Sequence, residues 1–437
     1  METNMICNNL SVNSEGHLCL GGQDTVALAK EYGTPLYLFD ADRIRERCRT
    51  YRRAMQAAFG SSARVLYASK AASFRAIYRI MAEEGMGVDV VSSGEIYTAS
   101  SAGFPMEKAY FHSNNKTDAD IAYAIEKGIG YFVVDNREEL DAIELAAKNA
   151  EIRQKVLLRL TPGIDPHTYE AVATGRVDSK FGSAIETGQA DAITAYALNL
   201  PHVELMGFHC HVGSQVFDSE VFLRAAAIML DFVAQMKQTY GFITRELDLG
   251  GGFGVRYLSS DPEPDIAANI AQVGRAVRAQ CEALGIEQPA IRMEPGRSIV
   301  ADAGMTLYTV GTVKRIPGYK NYVSVDGGMT DNPRYALYRS PYTVLLANRP
   351  TDRGATFRCS VVGRCCESGD ILQENVELPT DTSRGELLAV LTTGAYNYAM
   401  SSNYNRIPRP PVVMLSKGEH HLAVRRETLA DLCRNDL

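Results

Sequence analysis

Several residues in this chain stand where their types and spacing could do chemistry. Tyr67-Ala68-Ser69-Lys70-Ala71 sets a lysine directly after an apolar run. A lysine at the end of a buried strand is partly desolvated, which lowers its pKa and frees the amine to form a Schiff base. Gly250-Gly251-Gly252-Phe253-Gly254 is a stretch of bare backbone that can bring several N–H groups onto one phosphate. The dinucleotide fingerprint G-x-G-x-x-G is not met, because its last position falls on Val255 counted from Gly250 and on Tyr257 counted from Gly252. In Glu294-Pro295-Gly296-Arg297 the last two residues can extend the phosphate cradle, and Glu294 can accept a proton-bearing ring nitrogen.

Two histidines share one side of a strand in His209-Cys210-His211-Val212-Gly213-Ser214. The H-x-H spacing suits a metal that activates water. It equally suits one imidazole stacked on a flat cofactor, with Ser214 reaching a phosphate. The metal reading needs further ligands and ranks second, His112 being the only other histidine at a strand end; no metal is expected. Gly363-Arg364-Cys365-Cys366-Glu367-Ser368-Gly369-Asp370 offers thiols that could donate a proton and carboxylates that could bind an amine. Asp331-Asn332-Pro333-Arg334 with Tyr338, and Gly394-Ala395-Tyr396-Asn397-Tyr398, have the character of binding loops.

Positioning these groups falls to eight short apolar runs, at 65–68, 88–91, 109–112, 131–135, 156–161, 205–211, 246–249 and 291–294. Most are rich in β-branched or aromatic residues and bounded by Gly, Ser, Asn or Asp, as buried strands are. Segments with apolar residues three and four apart lie between them, such as Phe74, Ile77, Tyr78 and Met81. The alternation predicts an α/β fold, a closed (β/α)8 barrel of the TIM type. Each strand ends in a residue fit for chemistry: Lys70, Asp89, His112 with Asn115, Asp135, Arg159, His209 with His211, the glycines, and Glu294. Barrel active sites lie at that face.

Beyond about residue 305 the texture is β-rich, with strands expected at 306–316, 321–325, 357–362, 387–392, 411–415 and 420–424. This predicts a C-terminal β-rich domain of the sandwich or Greek-key kind, to which residues 17–20 add a strand. The expected division is a barrel at 38–304 and a β-rich domain from 1–37 with 305–437.

The composition is that of a globular chain with a sizeable core: 437 residues, 46% hydrophobic and 22% charged. Its formal net charge of −7, with no basic block, gives no reason to expect nucleic acid or an anionic membrane as partner. No apolar stretch approaches the ~20 residues a membrane span requires, and residues 1–10 lack the pattern of a secretory signal. Nine scattered cysteines, an odd number without a C-x-x-C pair, imply neither a disulfide framework nor a zinc ribbon. A reducing cytoplasm fits best.

Taken together, a strand-end lysine, a glycine-rich phosphate loop, a strand-end glutamate and an imidazole at one barrel mouth describe a site for pyridoxal 5'-phosphate (PLP). With Cys366-Glu367-Ser368-Gly369-Asp370 and Met400-Ser401-Ser402-Asn403-Tyr404-Asn405 in the same order, the chain resembles the fold type III PLP-dependent decarboxylases from about Tyr32 to Pro410. Among them it is most similar to those acting on meso-diaminopimelate.

The resemblance implies decarboxylation of meso-2,6-diaminopimelate to L-lysine by a homodimer whose β domain completes the partner's barrel site. It implies that Lys70 carries the cofactor, His211 stacks on the ring, and Ser214, Gly250, Gly251, Gly252, Gly296 and Arg297 line the phosphate. Glu294 would meet the ring nitrogen, with Asp89 and Tyr396 close by. Cys366 would be the proton donor. Arg297, Arg334 and Tyr338 would grip a distal carboxylate, with Glu367 on the distal amine. Here Arg364-Cys365 replaces the usual Pro–Ile, so two adjacent thiols compete; the register of Glu367-Ser368-Gly369-Asp370 favours Cys366. Ser93 and Ser113 stand where the family has glycine, and Tyr169 where it often has histidine. The rival readings are a PLP decarboxylase of ornithine, D-lysine or a carrier-bound acidic amino acid, a metal-dependent barrel hydrolase, and a non-catalytic PLP-binding relative.

Overall fold

The computed structural model describes residues 5–164, 178–352 and 354–437. It divides into two compact units, one of Arg47–Gly254 with Pro264–Gly296, the other of Met1–Glu46, Val255–Glu263 and Arg297–Leu437.

The first unit is the barrel. Its strands are β1 (Arg64–Ala68), β2 (Gly87–Val90), β3 (Ala109–Phe111), β4 (Tyr131–Val134), β5 (Gln154–Thr161), β6 (Val203–His209), β7 (Glu246–Asp248) and β8 (Ala290–Met293). Each is parallel to the next, and β8 pairs back onto β1 through Arg292↔Arg64 and Met293↔Val65, which closes the ring. All eight expected strands are present, most of them ending one or two residues earlier than their apolar runs. Helices fill the crossovers and carry caps legible in the sequence. Thr117 and Asp120 form a capping box on the helix Asp118–Glu126. Asp218 starts the helix Ser219–Tyr240, and Gly241, in the left-handed region, ends it. Ser93 donates its hydroxyl to Asp120 and so ties two neighbouring helix starts together.

The end of the barrel where the strands begin is polar. Glu246 accepts from Arg292 Nη2 at 2.9 Å, Tyr110 Oη at 2.8 Å and Tyr131 Oη at 2.9 Å. The two tyrosine rings stack with centroids 4.2 Å apart. A cavity of about 580 Å³, lined in part by Arg52, Arg64, Tyr110, Tyr131 and Arg292, opens on this end.

The second unit is β-rich, as expected. Gly304–Arg315 is its spine, pairing through its first half with Leu36–Asp40 and Leu387–Leu391 and through its second half with Asn321–Val325. Thr356–Val362 and Ile371–Pro379 extend the sheet on one side, Val412–Ser416 and Glu419–Val424 on the other. Leu36, Leu38, Met305, Leu307, Ala389, Leu391, Val413 and Leu415 form its core. Three strands of this larger sheet went unrecognised in the sequence: Leu36–Asp40, Val344–Leu346 and Ile371–Pro379. Residues 17–20 do add a strand to this unit, though not to its larger sheet. Leu18–Leu20 pairs with Leu10–Val12 and Gln23–Asp24 in a separate three-stranded sheet, and touches the larger one through Leu18 N–H to Ala347 O. Its leucines nonetheless enter the same core. None of the nine cysteines is in a disulfide, and no helix among the described residues is long and apolar enough to cross a membrane.

Candidate active site

The strand ends of the barrel bring the predicted groups of that unit to one face. Lys70 follows β1 on the single 3₁₀ turn Ser69–Ala71. Lys70 is exposed on this turn.

The loops after β6, β7 and β8 are built on one another. Val216 N–H donates to Gly252 O and Gly254 N–H to Val216 O, both at 2.9 Å, which seats His211 and Ser214 against the glycine run. The glycines are obligatory for this packing. A Cβ on Gly250 would stand 2.5 Å from Cys210 O, one on Gly251 2.0 Å from Glu294 O, and one on Gly252 2.2 Å from Gly213 O. Gly296 is similarly confined by Ala68 and Ala71. Gly251 N–H donates to His211 Nδ1 at 3.3 Å, making Nδ1 the acceptor of that ring. Burial, then the cations Lys70 and Arg159, drive the His211 pKa well below its ordinary value, so the ring is neutral.

Glu294 lies just past β8 at the centre of a buried polar cluster. Its Oε2 is 3.1 Å from His209 Nε2, and its Oε1 is 2.7 Å from His112 Nε2. The His112 contact is close but off the line a hydrogen bond needs, so Oε1 has no aligned donor among the described residues. Asp89 stands 3.9 Å from His112 Nε2. Burial, against the pull of His112, raises its carboxyl to about 6. Burial would also raise Glu294, but the two imidazoles outweigh it and hold this carboxyl well below the usual range. His209, buried, has its own pKa lowered. The H-x-H pair is therefore split: His209 turns into the cluster with His112 and Glu294, while His211 faces the glycine loop. Among the described residues of the barrel, the donors near enough to share an ion are His112, His209 and Glu294, not His209 with His211.

In the β-rich unit Arg297 donates to Tyr257 Oη at 2.8 Å and lies 4.8 Å from the Tyr396 ring centre. Arg334 lies 5.2 Å from the rings of both Tyr396 and Tyr338. Tyr396 thus stands between the two guanidiniums. Arg334 is buried, yet its Nε has no hydrogen-bond partner among the described residues. The cysteine loop is held by Asp370, which accepts from Cys365 N–H at 2.7 Å, and by Asn405, which accepts from Cys366 N–H at 2.7 Å. Cys366 is exposed and Cys365 half-buried. Burial, then Asp370, pushes the Cys365 thiol up to about 11. Glu367 is exposed, folded back on Gly369 N–H at 3.1 Å. Tyr169 lies outside the described residues.

Sequence reading had passed over Tyr257, Asp248 and the contacts of His112, and had left Asn405 without a role. Asn405 closes the run Met400–Asn405 and takes a left-handed φ of 53°. The donor set fits PLP: a buried carboxylate with one unclaimed oxygen for a ring N–H, a neutral imidazole beside a side-chain-free loop, and a lysine at the same face.

The comparisons agree. The family described as pyridoxal-dependent decarboxylase, pyridoxal binding domain, matches residues 41–301. The diaminopimelate decarboxylase of Bacillus subtilis (strain 168) is 45% identical over 97% of this chain and 96% of its own length. That of Staphylococcus aureus (strain COL) is 42% identical over 97% and 98%. Among solved structures, the diaminopimelate decarboxylase of M. jannaschii in complex with L-lysine has a TM-score of 0.90 at 33% identity, covering 100% of this chain and 99% of that one. A lysine/ornithine decarboxylase of Vibrio vulnificus with putrescine has a TM-score of 0.74 at 26% identity, covering 90% and 97%. Likeness of this extent, carried on the same barrel, places the chain in the pyridoxal-dependent decarboxylase family, among the diaminopimelate decarboxylases.

Proposed function

We propose that this protein decarboxylates meso-2,6-diaminopimelate to L-lysine and CO2. The observation that carries the substrate is Arg334, a buried guanidinium flanked by Tyr338 and Tyr396 with Nε unclaimed among the described residues. A simple diamino acid has no distal carboxylate to place there; diaminopimelate has one.

When bound, PLP supplies an electron sink for the charge left at the α-carbon as CO2 departs. Lys70 is the amine that holds it. Ser214, Gly250, Gly251, Gly252, Gly296 and Arg297 bind its phosphate, His211 covers a ring face, and Glu294 accepts the ring N–H, with Asp89 and Tyr396 beside it. Arg297, Arg334 and Tyr338 take the distal carboxylate and Glu367 the distal ammonium. Cys366 returns a proton to the α-carbon, a task suited to its exposed loop. In this reading the barrel binds the cofactor, and the β-rich domain completes the site of a partner subunit in a cytoplasmic homodimer.

Two measurements test this. Purified protein with PLP is assayed for CO2 release from meso-diaminopimelate, L-ornithine, L-lysine and D-lysine. Turnover of diaminopimelate above all others is expected; fast ornithine turnover with none of diaminopimelate overturns the substrate. Inactive Lys70→Ala and Cys366→Ala proteins are then mixed and allowed to exchange subunits. Regained activity is expected, and none would refute sites shared between subunits.

A further inference from the structure

Glu294 has to be an anion if it is to accept a ring N–H, yet it is buried, where a carboxyl prefers to be neutral. Two more carboxylates crowd it. Asp89 lies across His112, and Asp248, at the end of β7, has its pKa raised well above the ordinary value by burial and then by Glu294. The cations of the neighbourhood are Lys70 and Arg159.

The contacts that oppose neutralisation come from two imidazoles on different strands. His209, the last residue of β6, and His112, the residue after β3, flank the carboxylate, one at each oxygen. Their rings meet edge to face with centroids 4.9 Å apart, and both are buried. An anionic Glu294 can only accept, so His209 Nε2 carries the proton and its Nδ1, which has no partner among the described residues, is the lone pair. His112 is aligned on neither carboxylate. Its position 2.7 Å from Oε1 and 3.9 Å from Asp89 Oδ1 separates the two acids.

We propose that His112 and His209 are positioning residues that clamp Glu294 between two strands, with His209 fixing Oε2 and His112 shielding Oε1 from Asp89, so that Oε1 is presented to the cofactor's ring nitrogen as an anion. This rests on the PLP reading above. It assigns a task to two histidines that neither hold the cofactor's phosphate nor stack on its ring. Since the strength of the electron sink follows protonation of the ring nitrogen, the clamp acts through Glu294 on the reaction without touching substrate.

The test uses holoenzyme loaded with PLP carrying nitrogen-15 at the ring nitrogen, its chemical shift followed from about pH 6 to about pH 9. The native protein is expected to keep the ring nitrogen protonated throughout. His209→Phe, which keeps the ring shape and removes the N–H, and His112→Ala, which removes the ring that separates the two acids, are expected to let it lose its proton within that range. Cofactor release should become roughly tenfold easier, the size of one hydrogen bond to a charged group. His209→Asn, which restores a donor, should recover the native shift. An unchanged shift in either His209→Phe or His112→Ala, or equal loss in His209→Phe and His209→Asn, overturns the clamp. A readout that needs no variant is the tautomer of His209 in the native holoenzyme: a proton on Nε2 is expected, and one on Nδ1 overturns it. Native protein that binds PLP but decarboxylates no diaminopimelate would fail the substrate and leave the clamp standing on these shifts. Protein that takes up no PLP would fail both.

Discussion

Glu246→Leu should destabilise the barrel without disturbing its active face. Glu246 is 5% exposed and is the acceptor for Arg292 and two tyrosine hydroxyls. Leucine leaves the 7% exposed Arg292 guanidinium with the Ser62 and Ile291 carbonyls and Tyr110 Oη, and no carboxylate paired with it among the described residues. Removing one partner of a buried ion pair costs about 3–5 kcal/mol. For a unit of this size that corresponds to a fall of roughly 6–20 °C in melting temperature. Glu246 opens β7 and Gly250 lies four residues on, about 13 Å along the strand direction, so the cofactor's absorbance should be native until unfolding begins. Urea and thermal unfolding of the holoenzyme measure the loss. Adding Arg292→Leu should recover more than half of it, because the stranded charge is then gone. A single-variant loss below about 1 kcal/mol, or a double variant no more stable than the single, would refute the argument that an unpaired charge is what destabilises.

Gly251→Ala should abolish tight PLP binding while the chain still folds, since its Cβ would press 2.0 Å from the rigid Glu294 carbonyl; equilibrium dialysis with native affinity would contradict this. Cys366→Ala should cost far more activity than Cys365→Ala, the exposed thiol being the proposed donor, and equal losses would mean the register of that loop is misassigned. Burial raises Glu95 to about 7, against the hydrogen bond from Val91 N–H at 2.8 Å. A carboxyl raised on folding contributes stability that is complete below its unfolded pKa near 4 and lost as pH rises through 7. Glu95→Gln should flatten that decline, by at most about 3 kcal/mol, in unfolding curves taken across the range; an unaltered slope would sink the assignment.

The barrel and its chemistry-bearing face were legible in the sequence because both depend on neighbours along the chain. A strand buried on both faces is an apolar run whatever it pairs with, and the residue that follows it is carried to the barrel mouth by covalent continuity alone. Lys70, Gly250–Gly252 and Glu294 were found on that basis.

What the tertiary structure alone decided is which of those residues meet. His112, His209 and Glu294 come from β3, β6 and β8, and only closure of the ring through β8 and β1 turns them toward one point inside it. The H-x-H spacing could not say that His209 would face Glu294 while His211 faced the glycine loop, because the difference lies in where β6 ends. In the β-rich unit, Leu36–Asp40 finds its parallel partner Val412–Ser416 some 370 residues later, and Asn405 reaches back to hold Cys366. Such pairings leave no periodicity in the chain. They follow from packing and hydrogen-bond geometry between distant segments, and with them comes the charge state of the carboxylate on which the proposed chemistry depends.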